Sequence, residues 1–136
     1  MTYEARVPIT CDADIVIARQ RGRALAAELG VSNTDQALIA TAISELARNI
    51  VAYAKRGEIV IAGVSRAGRP GIMITARDAG PGIPNIELAM QDGYSTGGGL
   101  GLGLSGTRRL MAEFEIASEV GKGTTVITKK WTHRHE

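Results

Sequence analysis

The sequence predicts an α+β domain, a two-layer α/β sandwich with helices on one face of a mixed sheet. Three observations carry this. Apolar residues recur at helical spacing in two N-terminal segments. Two Ile- and Val-rich segments follow, joined by a short Gly-Pro turn. After further helical segments the chain closes on a second strand pair. Runs of paired strands beside runs of helices point to segregated layers. With 136 residues the chain is expected to form one domain, 1–136. A domain of this size buries roughly two-thirds of its unfolded surface, enough for one core.

Ala5 to Thr10 reads as a strand. Asp12 or Asp14 can cap the helix that follows. Its Ile15, Ala18, Gly22, Leu25, Ala26 and Leu29 share a face, and Gly30 supplies the left-handed stop. Arg19 and Arg23 lie one turn apart on the other face. A second helix starts near Asn33, with Gln36 three residues on as in a capping box. Ile39, Ala42, Ile43, Leu46, Ile50 and Tyr53 form its core stripe, and Gly57 lies just beyond its end. Glu58 to Ser65 and Gly71 to Asp78 read as strands around a turn at 67–70, and Gly80-Pro81-Gly82 ends the second. Pro84 to Gln91 is expected to form a short helix. From Gly93 to Gly106 there are seven glycines, and the next helix carries Leu104, Thr107, Leu110, Met111 and Phe114 on one side. Glu115 to Val120 and Thr124 to Trp131 close the fold around Gly121-Lys122-Gly123.

Composition narrows the function classes. The hydrophobic fraction is 44% and the net charge only +2, which fits a packed domain rather than a disordered chain. Basic residues are scattered, and one Trp, three Tyr and one Phe give no basic stretch interleaved with aromatics, so nucleic-acid binding is not expected. Cys11 is the one cysteine, expected to be packed or inert, and it excludes an internal disulfide. The first ten residues lack the basic and apolar regions of a signal peptide. No uninterrupted apolar run approaches the ~20 residues of a transmembrane helix. A cytoplasmic protein without membrane contact is the expectation.

Four places carry chemistry. Glu45 and Asn49 stand one helical turn apart, off the apolar stripe. They are either a solvated face or a magnesium–nucleotide site, since Mg²⁺ takes hard oxygen ligands with few from protein. The carboxylate can also serve as a general base. Asp78 has the strand parity of Ile72, Ile74 and Ala76. It either closes the strand as an Asx-turn or points inward and accepts from a donor such as the adenine amine. Gly97, Gly98, Gly99, Gly101 and Gly103 precede a helix whose N-terminus suits phosphate. The alternative is a plain surface loop. Thr124 either follows a hairpin turn as a β-branched residue or reaches a bound base. Gly101, Gly103 and Gly106 match the dinucleotide fingerprint in spacing, but no strand precedes them, and the Walker A pattern is absent. His133 and His135 are expected in solvent, and no Ser-His-acid, Cys-His or zinc-ligand pattern occurs.

Taken in order, Glu45-x-x-x-Asn49, Asp78-x-Gly80-x-Gly82, the glycines at 97–103 and Gly123-Thr124 resemble the N, G1 and G2 boxes and late Gly-Thr element of the GHKL ATPases. The match covers nearly the whole chain. Within them, Ile43 to Ile50, Asp92 to Gly101, Arg109 to Phe114 and Lys130-Trp131 look closest to the RsbT-type switch kinases of bacterial stressosomes. The resemblance implies a Bergerat fold and an ATP- and Mg²⁺-dependent serine/threonine kinase. It implies STAS-domain stressosome proteins as substrates and, after release, activation of a PP2C-type phosphatase. By position, Glu45 is implied as the base, Asn49 as the Mg²⁺ ligand and Asp78 as the adenine reader. Gly80 and Gly82 would shape the pocket, Gly97, Gly98, Gly99, Gly101 and Gly103 form a lid, and Thr124 support the base. Where many sensor kinases carry a cation three residues after the Asn, this chain has Ala52. Two alternatives stand beside this reading. One is an anti-sigma factor kinase that binds a sigma factor and phosphorylates its STAS-domain antagonist. The other is a non-catalytic, nucleotide-gated binding module. For a kinase, Arg19 and Arg23 are a candidate docking face.

Overall fold

The computed structural model describes residues 4–82, 90 and 103–132. Strand β1 (Glu4–Ile9) alternates exposed and buried residues. Helix α1 (Asp12–Glu28) starts at Cys11, which is exposed rather than packed and makes no side-chain cap bond. Asp14 instead reaches back, its Oδ2 accepting from the Thr10 N–H at 2.8 Å and the Thr10 hydroxyl at 2.9 Å. These bonds, the backbone one first, hold the Asp14 carboxyl below its ordinary range. The helix ends as expected at Gly30, φ +84. There the Val31 N–H donates to the Ala26 carbonyl and Gly30 N–H to Ala27, a Schellman closure.

Helix α2 (Asn33–Asn49) is capped by Ser32, whose side chain accepts from the Asp35 N–H at 3.2 Å. The cap is therefore one residue earlier than Asn33. Gln36 donates instead to the Val31 carbonyl. The helix continues as a π-helical turn, Ile50–Ala54. That wider turn rotates Tyr53 off the apolar stripe, and the ring stands 43% exposed. By length and composition the 22-residue run Asn33–Ala54 would suffice to cross a membrane. Here half of its most apolar window is buried, and Ile39, Ile43 and Leu46 form the centre of the core.

Strands β2 (Gly57–Arg66) and β3 (Arg69–Asp78) form a hairpin tighter than the sequence suggests. Only Ala67 (φ +51) and Gly68 (φ +78) lie outside the ladder, the torsions of a primed two-residue turn. Helix α3 (Gly103–Leu110) begins inside the glycine stretch and ends before Phe114, which lies on strand β4 (Glu113–Glu119). Strand β5 (Gly123–Trp131) completes a sheet ordered β1-β2-β3-β5-β4. Each of its pairings is antiparallel, so the sheet is not mixed. The Pro84–Gln91 helix expectation falls outside the described residues except Met90, which packs against the core.

The register builds the core in rows across the strands. Ala5, Ile61, Ile74, Thr128 and Phe114 make one row, and Val7, Ile59, Ala76, Val126 and Ile116 the next. Helices α1 and α2 cross closely at Gly22, where an added Cβ would meet Ile43 Cδ1 at 2.0 Å. Helix α3 packs on α2, with Thr107 fully buried. Lys130 Nζ donates to the Leu110 carbonyl at 2.6 Å and lies 3.9 Å from Asp35 Oδ1, tying the end of α3 to the start of α2. Across the sheet end, Glu113 accepts from Arg66 at 2.7 Å and from the Trp131 indole at 2.8 Å. Those bonds, Arg66 first, hold the Glu113 carboxyl below its ordinary range.

Candidate functional site

The next row of the register is Ile9, Gly57, Asp78, Thr124 and Ser118. It closes the helix-facing side of the sheet at one end, and it breaks the apolar pattern of the rows before it. Strand alternation dictates the break: Asp78 follows Ile72, Ile74 and Ala76 at steps of two, so its side chain faces the helix layer as the sequence predicts. Asp78 is half-buried. Its Oδ1 accepts from the Gly80 N–H at 2.9 Å and the Thr124 N–H at 3.3 Å. The Asx-turn and the inward carboxylate are thus the same arrangement. The turn occupies Oδ1, and among the described residues Oδ2 carries no bond.

Close backbone approach surrounds this carboxylate. A Cβ on Gly57 would meet the Arg77 carbonyl at 2.4 Å, and one on Gly80 would meet Ala54 Cβ at 2.6 Å. Gly82 (φ +80) and Gly123 (φ +115) adopt torsions that favour glycine, and a Cβ on Gly123 would meet the Asp78 carbonyl at 2.1 Å. The Pro81 carbonyl accepts from the Gly121 N–H at 2.9 Å, locking the 78–82 loop to the β4–β5 turn. Backbone is thus packed closely around Asp78, and among the described residues Oδ2 is left to accept from a further donor. Thr124 stands beside Asp78 in the row, and its hydroxyl lies 2.8 Å from the Ser118 hydroxyl. Ser118 and Gly57 were not singled out from the sequence. Strand parity alone, counted across the register, would have found them.

The π-helical turn sets Ala54 against Gly80, bringing the helix end to the 78–82 loop. Asn49 is half-buried on the last α-helical turn. Glu45, one turn earlier, is not on a solvated face: its side chain is only 9% exposed. Its Oε1 accepts from Arg48 Nη1 at 2.5 Å, and the Arg48 side chain is 50% exposed. The sequence reading missed Arg48, although an i, i+3 partner of Glu45 was legible. A carboxamide with a carboxylate one turn away is a donor set Mg²⁺ accepts when phosphate and water complete its shell.

Gly97, Gly98, Gly99 and Gly101 lie outside the described residues, and Gly103 opens α3. Arg19 and Arg23 are exposed on α1, away from the core, with Val16 and Ile17 also exposed. His133 and His135 lie outside the described residues.

Comparison with known proteins matches residues 34–133 to the family described as Histidine kinase-, DNA gyrase B-, and HSP90-like ATPase. Serine/threonine-protein kinase RsbT of Bacillus subtilis (strain 168) is 53% identical over 131 residues, 96% of this chain and 98% of the relative. An anti-sigma F factor of Geobacillus stearothermophilus is 34% identical over 118 residues, 83% of this chain and 81% of the relative. Among solved structures, the RsbU and RsbW domains of a Mycobacterium tuberculosis protein align with TM-score 0.63 at 23% identity, over 98% of this chain and 33% of that one. A mycobacterial sensor histidine kinase, MprB, aligns with TM-score 0.54 at 14% identity, over 95% and 97%. The structural likenesses bear on the fold, and the sequence relatives on the kind of protein.

Proposed function

Because the chain belongs to the histidine kinase-, DNA gyrase B- and HSP90-like ATPases, and within them to the serine/threonine-protein kinases related to RsbT, we propose that it phosphorylates STAS-domain proteins of a stressosome. Once released from that partner it binds and activates a PP2C-type phosphatase. The setting we propose is the cytoplasm.

The observation that carries the nucleotide half is Asp78, with Oδ1 engaged by backbone N–H groups and Oδ2, among the described residues, left to accept from a further donor. The exocyclic amine of adenine is proposed as that donor, with Gly80 and Gly82 beside the ring and Thr124 next to it. Gly97, Gly98, Gly99, Gly101 and Gly103 are proposed to cover the phosphates ahead of α3. Asn49 would hold Mg²⁺, which when bound neutralises phosphate charge.

Glu45 is proposed as the base. The acceptor hydroxyl gives its proton to the carboxylate. Its oxygen then bonds the γ-phosphorus, the bond from that phosphorus to the β–γ bridging oxygen breaks, and ADP leaves with the electron pair. Proton transfer of this kind contributes typically 10²–10⁴-fold.

Incubation with γ-labelled ATP and STAS-domain proteins of the source organism tests this. Label is expected on a serine or threonine of one of them. Nucleotide binding without transfer to any would favour a nucleotide-gated binding module instead. The likeness to anti-sigma F factors supports a second reading, a kinase that also sequesters a sigma factor. Capture of a sigma factor rather than a phosphatase regulatory domain in pull-downs would favour it.

A further inference from the structure

A carboxylate buried to the extent of Glu45 is costly unless a donor meets it. In this chain the donor is Arg48, three residues on along α2. An i, i+3 pair between two solvated side chains fixes little, because both ends move. This pair is asymmetric. Glu45 is held inside the protein, and the guanidinium comes in from the half-exposed position next to Asn49. The contact falls on one oxygen, Oε1, and among the described residues Oε2 carries no bond. A guanidinium donates along directions fixed in its plane, so this contact places Oε1 more closely than an ammonium would.

We propose that Arg48 is a positioning residue for phosphoryl transfer: it holds Oε1 of Glu45 so that Oε2 is presented in one orientation to the acceptor hydroxyl. This rests on Glu45 being the base, as proposed above. Arg48 itself touches neither ATP nor the acceptor in this role. The sign of the Arg48 effect on kcat is diagnostic: a positioning role requires that its removal slow transfer.

The test compares Arg48→Ala, Arg48→Lys and Arg48→Gln with Glu45→Gln and the Glu45→Gln/Arg48→Ala double variant. The acceptor is the STAS-domain protein that the wild type labels. Arg48→Ala is expected to lower kcat roughly ten- to hundredfold, the usual cost of a misplaced catalytic group. KM for ATP is expected to hold within about twofold, since no substrate contact is lost. Arg48→Lys should recover part of kcat, and Arg48→Gln, a donor without charge, should fall between. The double variant should be no slower than Glu45→Gln alone.

Heat unfolding of the nucleotide-free proteins gives a readout independent of turnover. Arg48→Ala should melt a few degrees lower than wild type, and the double variant no lower than Glu45→Gln. An Arg48→Ala kcat equal to or above wild type, or additive losses in the double variant, overturns the inference. If Glu45→Gln is slow while Arg48→Ala is not, the inference falls and the base stands. If Glu45→Gln transfers phosphate at the wild-type rate, both fall.

Discussion

Asp78 has a structural role through Oδ1 and, in the proposed function, a recognition role through Oδ2. Its Oδ1 closes the turn into Gly80 and meets β5 at Thr124, so replacing the whole carboxylate would loosen the loop. Asp78→Asn is the informative change. It keeps an acceptor for those two N–H groups and places an amide NH₂ where Oδ2 was. The fold should survive, and an adenine amine would meet a donor. A hydrogen bond to a charged group is worth roughly 1.5–3 kcal/mol, so calorimetry should show ATP affinity falling about ten- to hundredfold. GTP, which offers a carbonyl at the equivalent position, should bind the wild type poorly and gain relative to ATP in the variant. Unchanged ATP affinity would remove Asp78 from the site.

At the scale of elements, the two faces of α1 divide the labour. Ile15, Ala18, Leu25 and Ala26 are buried, and Gly22 lets the helix lie close on α2. Arg19 and Arg23 stand exposed one turn apart, with Arg21 off their face, and Val16 and Ile17 are 40% and 43% exposed. In the proposed function the acceptor hydroxyl is carried by a docking protein. If α1 is that dock, its arginines set the rate of encounter more than the final affinity. The double reversal Arg19→Glu/Arg23→Glu should therefore slow phosphorylation of the proposed STAS-domain partner and leave ATP binding intact, and salt should weaken the wild-type reaction. Wild-type kinetics for the reversal at both low and high salt would place the dock elsewhere. Helix α1 was also among the most legible elements, because its stripe and Gly30 stop depend on local spacing alone. The end of α2 was less so. Nothing local announces a π-helical turn, so Tyr53 was assigned to the core by a period that the helix abandons after Asn49. Phe114 was misassigned for a related reason: an apolar residue one turn past Leu110 satisfies the helical pattern, and only pairing with Thr128 reveals the strand.

Over the whole molecule, two carboxylates hold separate junctions. Asp14 joins the end of β1 to the start of α1 through Thr10, and Glu113 joins β2, β4 and β5 through Arg66 and Trp131. Both are held below their ordinary ranges, so the unfolded chain takes up their protons more readily than the folded one. Their stabilisation is therefore present above the ordinary values of 3.8 and 4.5 and is lost as pH falls below them. In chemical denaturation the Asp14→Asn/Glu113→Gln double variant should have a lower midpoint than wild type near about pH 7, and the gap should close near about pH 3. A gap that stays constant with pH would deny these carboxylates that role. The antiparallel sheet itself was not legible in the sequence: the mixed-sheet expectation followed from the order of elements, whereas direction is set by which strands become neighbours. The inward side of Asp78 was legible from strand parity, whereas the pairing of Ser118 with Thr124 depends on a register that only the fold supplies.

The sheet order carries one more consequence. Strand β5 is the last strand along the chain, yet it lies between β3 and β4. A ribosome therefore releases β4 before the strand that connects it to the rest of the sheet. Until residue 131 has emerged, the nascent chain has only β1, β2 and β3 as one paired unit, and the Asp78 side of that unit is an open edge. Thr124 and Gly123, the neighbours of Asp78 across the sheet, arrive with the final insertion. A chain interrupted before β5 would thus leave Asp78 without its partner strand and β3 with an unpaired edge, the kind of surface that chaperones and proteases recognise.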